Sequence, residues 1–148
     1  MTVLTHLEQV FPGCPAAVAE VRRFVAEPLR RYGFGTRLDD ALLCVSELAT
    51  NAIKHTTSGH STFVVALDVD DAGGARVSVV DQGAAGVPVV QVPSSDAEGG
   101  RGLLLVNVLA DGVGHAMVPG GRQATWFALR RPPEPPEPLA PARTEIPS

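Results

Sequence analysis

Apolar residues recur along this chain in two rhythms, one helical and one alternating. From Pro15 to about Tyr32 the positions Val18, Val21, Phe24, Val25 and Leu29 repeat at helical spacing and predict an amphipathic helix. Pro28 falls late in it, where a ring without an N–H kinks or shortens a helix. Gly33-Phe34-Gly35 marks a turn; Thr36 then offers an N-cap, and Asp39 and Asp40 place negative charge in the next first turn. The helix predicted from Leu38 to about His55 is apolar round most of its circumference (Leu42, Leu43, Val45, Leu48, Ala49, Ala52, Ile53), as in a helix buried on most sides. Thr57-Ser58-Gly59 stops it.

Runs rich in β-branched residues predict strands over Thr62–Val69 and Ala75–Val80, joined by a hairpin turn at 70–74. A second hairpin pairs Val113–Val118 with Gln123–Arg130 around Pro119-Gly120-Gly121, and a weaker alternation from Val3 to Phe11 reads as an entry strand closed by Pro12-Gly13. Between the hairpins, Asp81 to Gly102 has no sustained period and reads as a long loop, a kind usually functional or mobile. Leu103 to about Leu109 predicts a short helix. The order strand, helix, helix, two strands, loop, helix, two strands implies an α+β two-layer sandwich, because a doubly wound parallel sheet needs alternating strands and helices. Residues 1–131 form one domain on this reading. The remainder, 132–148, is a Pro-rich tail too poor in apolar surface to join a core, and is expected to be disordered or partly polyproline II.

Composition narrows the choices. With 148 residues and 45% apolar side chains the chain supports one real core. A net charge of −4 gives no basic surface for nucleic acid or anionic membrane. Lys54 is the only lysine among otherwise arginine cations, a bias of GC-rich bacterial genomes. Cys14 and Cys44 are isolated from each other and from any histidine at ligand spacing, so both read as small buried hydrophobes. The N-terminus lacks a signal-peptide pattern, and no window has the ~20 apolar residues of a transmembrane helix, so the expected location is cytoplasmic. His6, His55, His60 and His115 form no pattern and receive no role.

Three stretches could carry chemistry. Glu47 and Asn51 stand four apart on the largely apolar second helix and so share a face. Burying them requires compensation, which a Mg²⁺–phosphate group would supply: Asn51 as a hard oxygen ligand, Glu47 as a base toward a hydroxyl. Asp81-Gln-Gly83 follows a strand, where a carboxylate can accept from an exocyclic amine such as that of adenine while glycine lets the backbone approach a flat ring. Glu98-Gly-Gly100-Arg101-Gly102 opens a helix, presenting N–H groups and a fixed charge to an anion. Each has a plain alternative: a solvated helix stripe, an Asp-x-Gly turn, a glycine hinge. No Walker A loop is present.

Taken together, in this order and spacing, the three stretches resemble the GHKL ATPases, which include gyrase, histidine-kinase and mismatch-repair ATP domains. Ser-Glu-Leu-Ala-Thr-Asn-Ala-Ile-Lys-His and Gly-Arg-Gly-Leu-Leu-Leu-Val further resemble the RsbW-type anti-sigma-factor serine/threonine kinases, and the likeness spans about residues 10 to 130. It implies a Bergerat fold, a mixed and mostly antiparallel sheet with helices on one face. It implies ATP and Mg²⁺ as cofactors. Asn51 matches the Mg²⁺ ligand and Glu47 the base on a serine hydroxyl. Asp81 matches the adenine-binding carboxylate, with Gly83 and Gly86 shaping its pocket. Gly100 and Gly102 match the lid glycines, and Thr125 a late-strand hydroxyl near the base. A phosphate contact from Arg101 is inferred from its place in the lid. The implied activity is ATP-dependent phosphorylation of a small anti-sigma-factor antagonist, coupled to release of a sigma factor, in a homodimer joined near the N-terminal sheet edge. The alternative is a partner-switching module that binds ATP without transferring phosphate. Two features depart from the family pattern: the Asp81–Gly102 loop is compact with Pro88 and Pro93, and Ala-Asp-Gly-Val-Gly-His lacks an aromatic residue common among relatives.

Overall fold

A computed structural model describes residues 2–54, 61–81 and 104–133. The expectations for His55, His60 and the Thr57–Gly59 stop lie outside these residues, as do those for Gly83, Gly86, Gly100, Arg101, Gly102 and the tail from residue 134.

The chain opens with strand β1 (Val3–Pro12), followed by helix α1 (Ala17–Arg31), a 3₁₀ turn (Gly35–Arg37) and helix α2 (Leu38–Lys54). Strands β2 (Thr62–Asp70) and β3 (Gly74–Asp81) come next; β4 (Gly112–Val118) and β5 (Arg122–Arg130) close the fold. Residues 104–109 are helical. The predicted α+β sandwich is the observed one. The five strands form one open sheet in the order β1-β2-β3-β5-β4, and every pairing is antiparallel. After β3 the chain crosses to the far edge to lay down β4, and β5 then fills the gap beside β3.

Two local expectations are corrected. Thr36 is not the N-cap of α2, because Gly35–Arg37 wind into a 3₁₀ turn that feeds the helix directly. The Arg37 amide bonds back to the Phe34 carbonyl, so backbone does the capping work. Pro28 does not shorten α1: the helix carries on to Arg31 with the Pro28 ring buried, although the missing N–H leaves the Phe24 carbonyl without its helical donor.

Both long helices lie on one face of the sheet. Residues Phe63, Val65, Leu67 and Val69 of β2 alternate into the core, joined by Val77 and Val79 of β3 and by Phe127 and Leu129 of β5. Against them α2 packs Ala41, Val45, Leu48 and Ala52, all buried. Phe11 closes the core under α1, stacked on Phe63 at 5.8 Å and edge-on to Phe24 at 5.7 Å. No polar side chain is buried among the described residues.

Candidate functional site

The register fixes which end of the sandwich bears polar groups. Helix α2 ends at Lys54 and β2 starts at Thr62, so the end of α2 and the start of β2 are tied together by a short connection. Phe63, next along β2, pairs with Asp81, the last residue of β3. The C-terminal half of α2, with Glu47 and Asn51, and the carboxylate end of β3 therefore share one end of the molecule.

Within α2 the two residues occupy a particular flank. Ser46 and Leu42 face α1, where Arg22 donates to the Ser46 hydroxyl at 2.8 Å. At 100° per residue, Glu47 and Asn51 lie on the opposite flank, beyond the buried strip of Ala41, Val45, Leu48 and Ala52. Both are half-buried, at the border between core and surface. A carboxylate and a carboxamide there keep part of their hydration while presenting hard oxygens to one side.

On the sheet, Asp81 follows the inward positions Val77 and Val79 and so points to the helix layer. Thr125 of β5 pairs directly with Val79, and Asp81 with Gln123, so Asp81 and Thr125 are diagonal neighbours on that inner face. Four predicted residues (Glu47, Asn51, Asp81 and Thr125) thus line one layer of the fold, α2 above and β3–β5 below. Gly83, Gly86, Gly100, Arg101 and Gly102 lie outside the described residues. Among the described residues no cluster of three or more acidic, histidine or cysteine side chains could hold a metal by itself.

Beyond the glycine-rich stretch, residues 104–109 return to the core with Val106 fully buried. Their end is held by a residue the sequence reading passed over. Arg37 donates to the Leu109 carbonyl at 2.7 Å, to Asp111 at 2.9 Å, to the Arg130 carbonyl at 3.2 Å and to Asp40 at 3.3 Å. Burial works against its charge, but the hydrogen bond and charge of Asp111, then of Asp40, keep the guanidinium above its usual pKa. Asp111 in turn lies below the carboxylate range, held first by the Arg130 N–H and then by Arg37. No sequence signal marks this pairing, since Arg37 and Asp111 are 74 positions apart.

Cys44 is buried, as expected, and burial followed by the nearby Asp40 charge pushes its thiol up to about 11. Cys14 is only half-buried. His6, which received no role from sequence, lies between Asp68 at 2.5 Å and Glu8 at 2.9 Å.

Residues 11–126, well over half the chain, match the histidine kinase-like ATPase domain family. The chain belongs to that family. It is a GHKL-type ATPase domain, and ATP is the nucleotide that membership implies. No curated protein matches it. Among solved structures, the RsbU and RsbW domains of Rv1364c from Mycobacterium tuberculosis share the fold, with a TM-score of 0.63 and 22% identity. That match covers 85% of this chain and 32% of the other, so the chain spans about a third of that structure. The Acinetobacter baumannii histidine kinase AdeS aligns at a TM-score of 0.46 and 15% identity, over 86% of this chain and 69% of its own. No helix of the described residues is long and apolar enough to cross a membrane.

Proposed function

We propose that the chain is an ATP-dependent serine/threonine protein kinase of the anti-sigma-factor type, which phosphorylates a small antagonist protein and thereby controls a sigma factor. The observation that carries this reading is the Glu47–Asn51 pair, half-buried on the flank of α2 turned from α1, at the end of the sandwich where β3 finishes in Asp81. The likeness of this fold to a structure containing an RsbW domain supports the choice within the family.

In this reading Asp81 accepts from the adenine amino group, with Thr125 beside it and Gly83 and Gly86 letting the backbone approach the ring. Gly100 and Gly102 close over the phosphates, and Arg101 offsets their charge. The donor set fits Mg²⁺, which usually takes one or two protein oxygens and completes its shell with phosphate and water. Asn51 Oδ1 would hold it, and the bound cation would neutralise charge on the phosphates. Glu47 takes the proton from the substrate hydroxyl as that oxygen bonds to the γ-phosphorus; the bond to the bridging oxygen breaks and ADP leaves. Most of the rate comes from positioning and charge stabilisation. Strand β1 supports a homodimer: it is a sheet edge with Val3, Leu4, Leu7 and Val10 exposed.

Calorimetry with and without Mg²⁺ tests the site. Wild type should bind ATP, Asp81→Asn should not, and Asn51→Ala should bind with the Mg²⁺ dependence gone. Transfer to a serine-bearing antagonist should vanish in Glu47→Ala with ATP binding retained. Equal loss of both would remove Glu47 as base, and ATP binding with no transfer by wild type would make the protein an ATP-gated partner-switching module.

A further inference from the structure

Strand β1 lies at an edge of the sheet: β2 pairs with one side of it, and among the described residues no strand pairs with the other. Natural proteins usually blunt such an edge with lysine, proline or a bulge within the strand. Residues 3–11 contain no lysine and no proline, and the irregularity in register lies at the start, between Val3 and Thr5. Leu4, Leu7 and Val10 are exposed along it.

The hydrogen bonds show which backbone groups the free side offers. The Gly13 N–H donates to the Ser61 carbonyl at 2.8 Å, in the register that sets Pro12 against Thr62. Bonded and unbonded pairs alternate along an antiparallel ladder. Thr5, Leu7, Gln9 and Phe11 therefore bond toward β2, while His6, Glu8 and Val10 turn their N–H and C=O groups to the free side. Side chains alternate as well: Leu7 pairs with the buried Leu67 and lies on the helix face, and His6 and Glu8 lie on the outer face.

About Leu7 the strand is a palindrome in chemical character. His6 mirrors Glu8, Thr5 mirrors Gln9, and Leu4 mirrors Val10. A two-fold contact sets each residue against the mirror position of an identical strand. The backbone alternation admits only registers whose two-fold axis passes through a residue, because bonding groups must face bonding groups. An axis at Glu8 sets two glutamates face to face and Leu7 against Gln9. An axis at His6 sets Glu8 against Leu4 and Leu7 against Thr5. The axis at Leu7 matches opposite charges, polar with polar and apolar with apolar, where each good cross-strand pair contributes roughly 0.2–1 kcal/mol and like charges destabilise.

We propose that β1 pairs antiparallel with β1 of a second copy, with the two-fold axis at Leu7 and His6 of each copy facing Glu8 of the other. The two five-stranded sheets then run on as one. The axis stands perpendicular to the sheet, so both helix layers lie on the same face. This register rests on the reading of β1 as the dimer edge and adds to it the residues that meet.

Cysteine cross-linking of the full chain in a Cys14→Ser background, with sedimentation velocity alongside, tests it. At the axis the two Leu7 positions form an unbonded pair with Cα atoms ~4.5 Å apart, within the ~4.4–6.8 Å that a disulfide spans. Under mild oxidation Leu7→Cys should shift to twice the monomer mass, and reductant should reverse the shift. Gln9→Cys alone should stay at monomer mass on a non-reducing gel, because its two copies stand four residues, ~13 Å, apart along the strands. Mixing Thr5→Cys with Gln9→Cys should restore the cross-link. A sedimenting dimer in which Gln9→Cys links to itself, or Leu7→Cys does not, would overturn the register while leaving β1 as the dimer edge. A monomer at every concentration, with no cross-link in any variant, would overturn the register and the dimer edge together. Neither result alters ATP binding, which calorimetry reads separately.

Discussion

At the scale of single residues, the informative positions are those whose neighbours come from distant parts of the chain. Gly114 has room for nothing but hydrogen because the Trp126 ring crosses it. Gly114→Ala should therefore cost about 1–3 kcal/mol through displaced aromatic packing, measured by urea denaturation, with a red shift of the single tryptophan. His6 offers a test by pH. Its pKa is raised above 6.5, first by the hydrogen bond to Asp68 and then by Glu8. A raised folded-state pKa contributes stability that is complete below 6.5 and is lost as pH rises through the folded value. The stability of wild type relative to His6→Gln should thus shrink as pH climbs past 6.5, as read from denaturation midpoints across that range. The side chain is about half exposed, so the effect will be small and weaker in salt. Glu47, Asn51 and Asp81 could be picked out from sequence because a polar residue in an apolar run is visible in one dimension. Arg37, Gly114 and His6 could not, because their partners lie 74, 12 and 62 positions away and no local rule links them.

At the scale of elements, periodicity located every long helix and strand to within a residue or two. What it missed were junctions. Thr36 looks like an N-cap, but the chain tightens into a 3₁₀ turn there, placing Arg37 where its guanidinium reaches the end of residues 104–109. That guanidinium joins the start of α2, the Leu109 carbonyl, Asp111 and the end of β5 in one network. Arg37→Ala should cost about 1–2 kcal/mol by removing the donor that the Leu109 and Arg130 carbonyls share with the Asp111 and Asp40 carboxylates. Amide exchange should show the loss at Ala110, Asp111 and Arg130 before it appears in β2. Comparable deprotection throughout the sheet would show that the network is not a local clamp. Pro28 teaches a related lesson: tertiary burial of its ring outweighs the missing hydrogen bond, so α1 continues to Arg31.

At the scale of the whole molecule, one core joins the sheet to α1 and α2, and Phe63 is fully buried in it. Phe63→Ala should cost about 3–5 kcal/mol and lower the melting temperature by roughly 10 °C or more, checked by calorimetry. Sequence alone determined the element order, the α+β class and the family, because hydrophobic period and motif spacing are properties of neighbours along the chain. Tertiary structure alone decided the strand order β1-β2-β3-β5-β4, since antiparallel pairing requires partners that the chain brings together only after crossing the sheet. It also decided that Asp81 and Thr125 are diagonal neighbours facing the helix layer, while Trp126 turns outward to meet Arg76. Adjacent residues of a strand point to opposite faces, and only the packed core determines which face is inside.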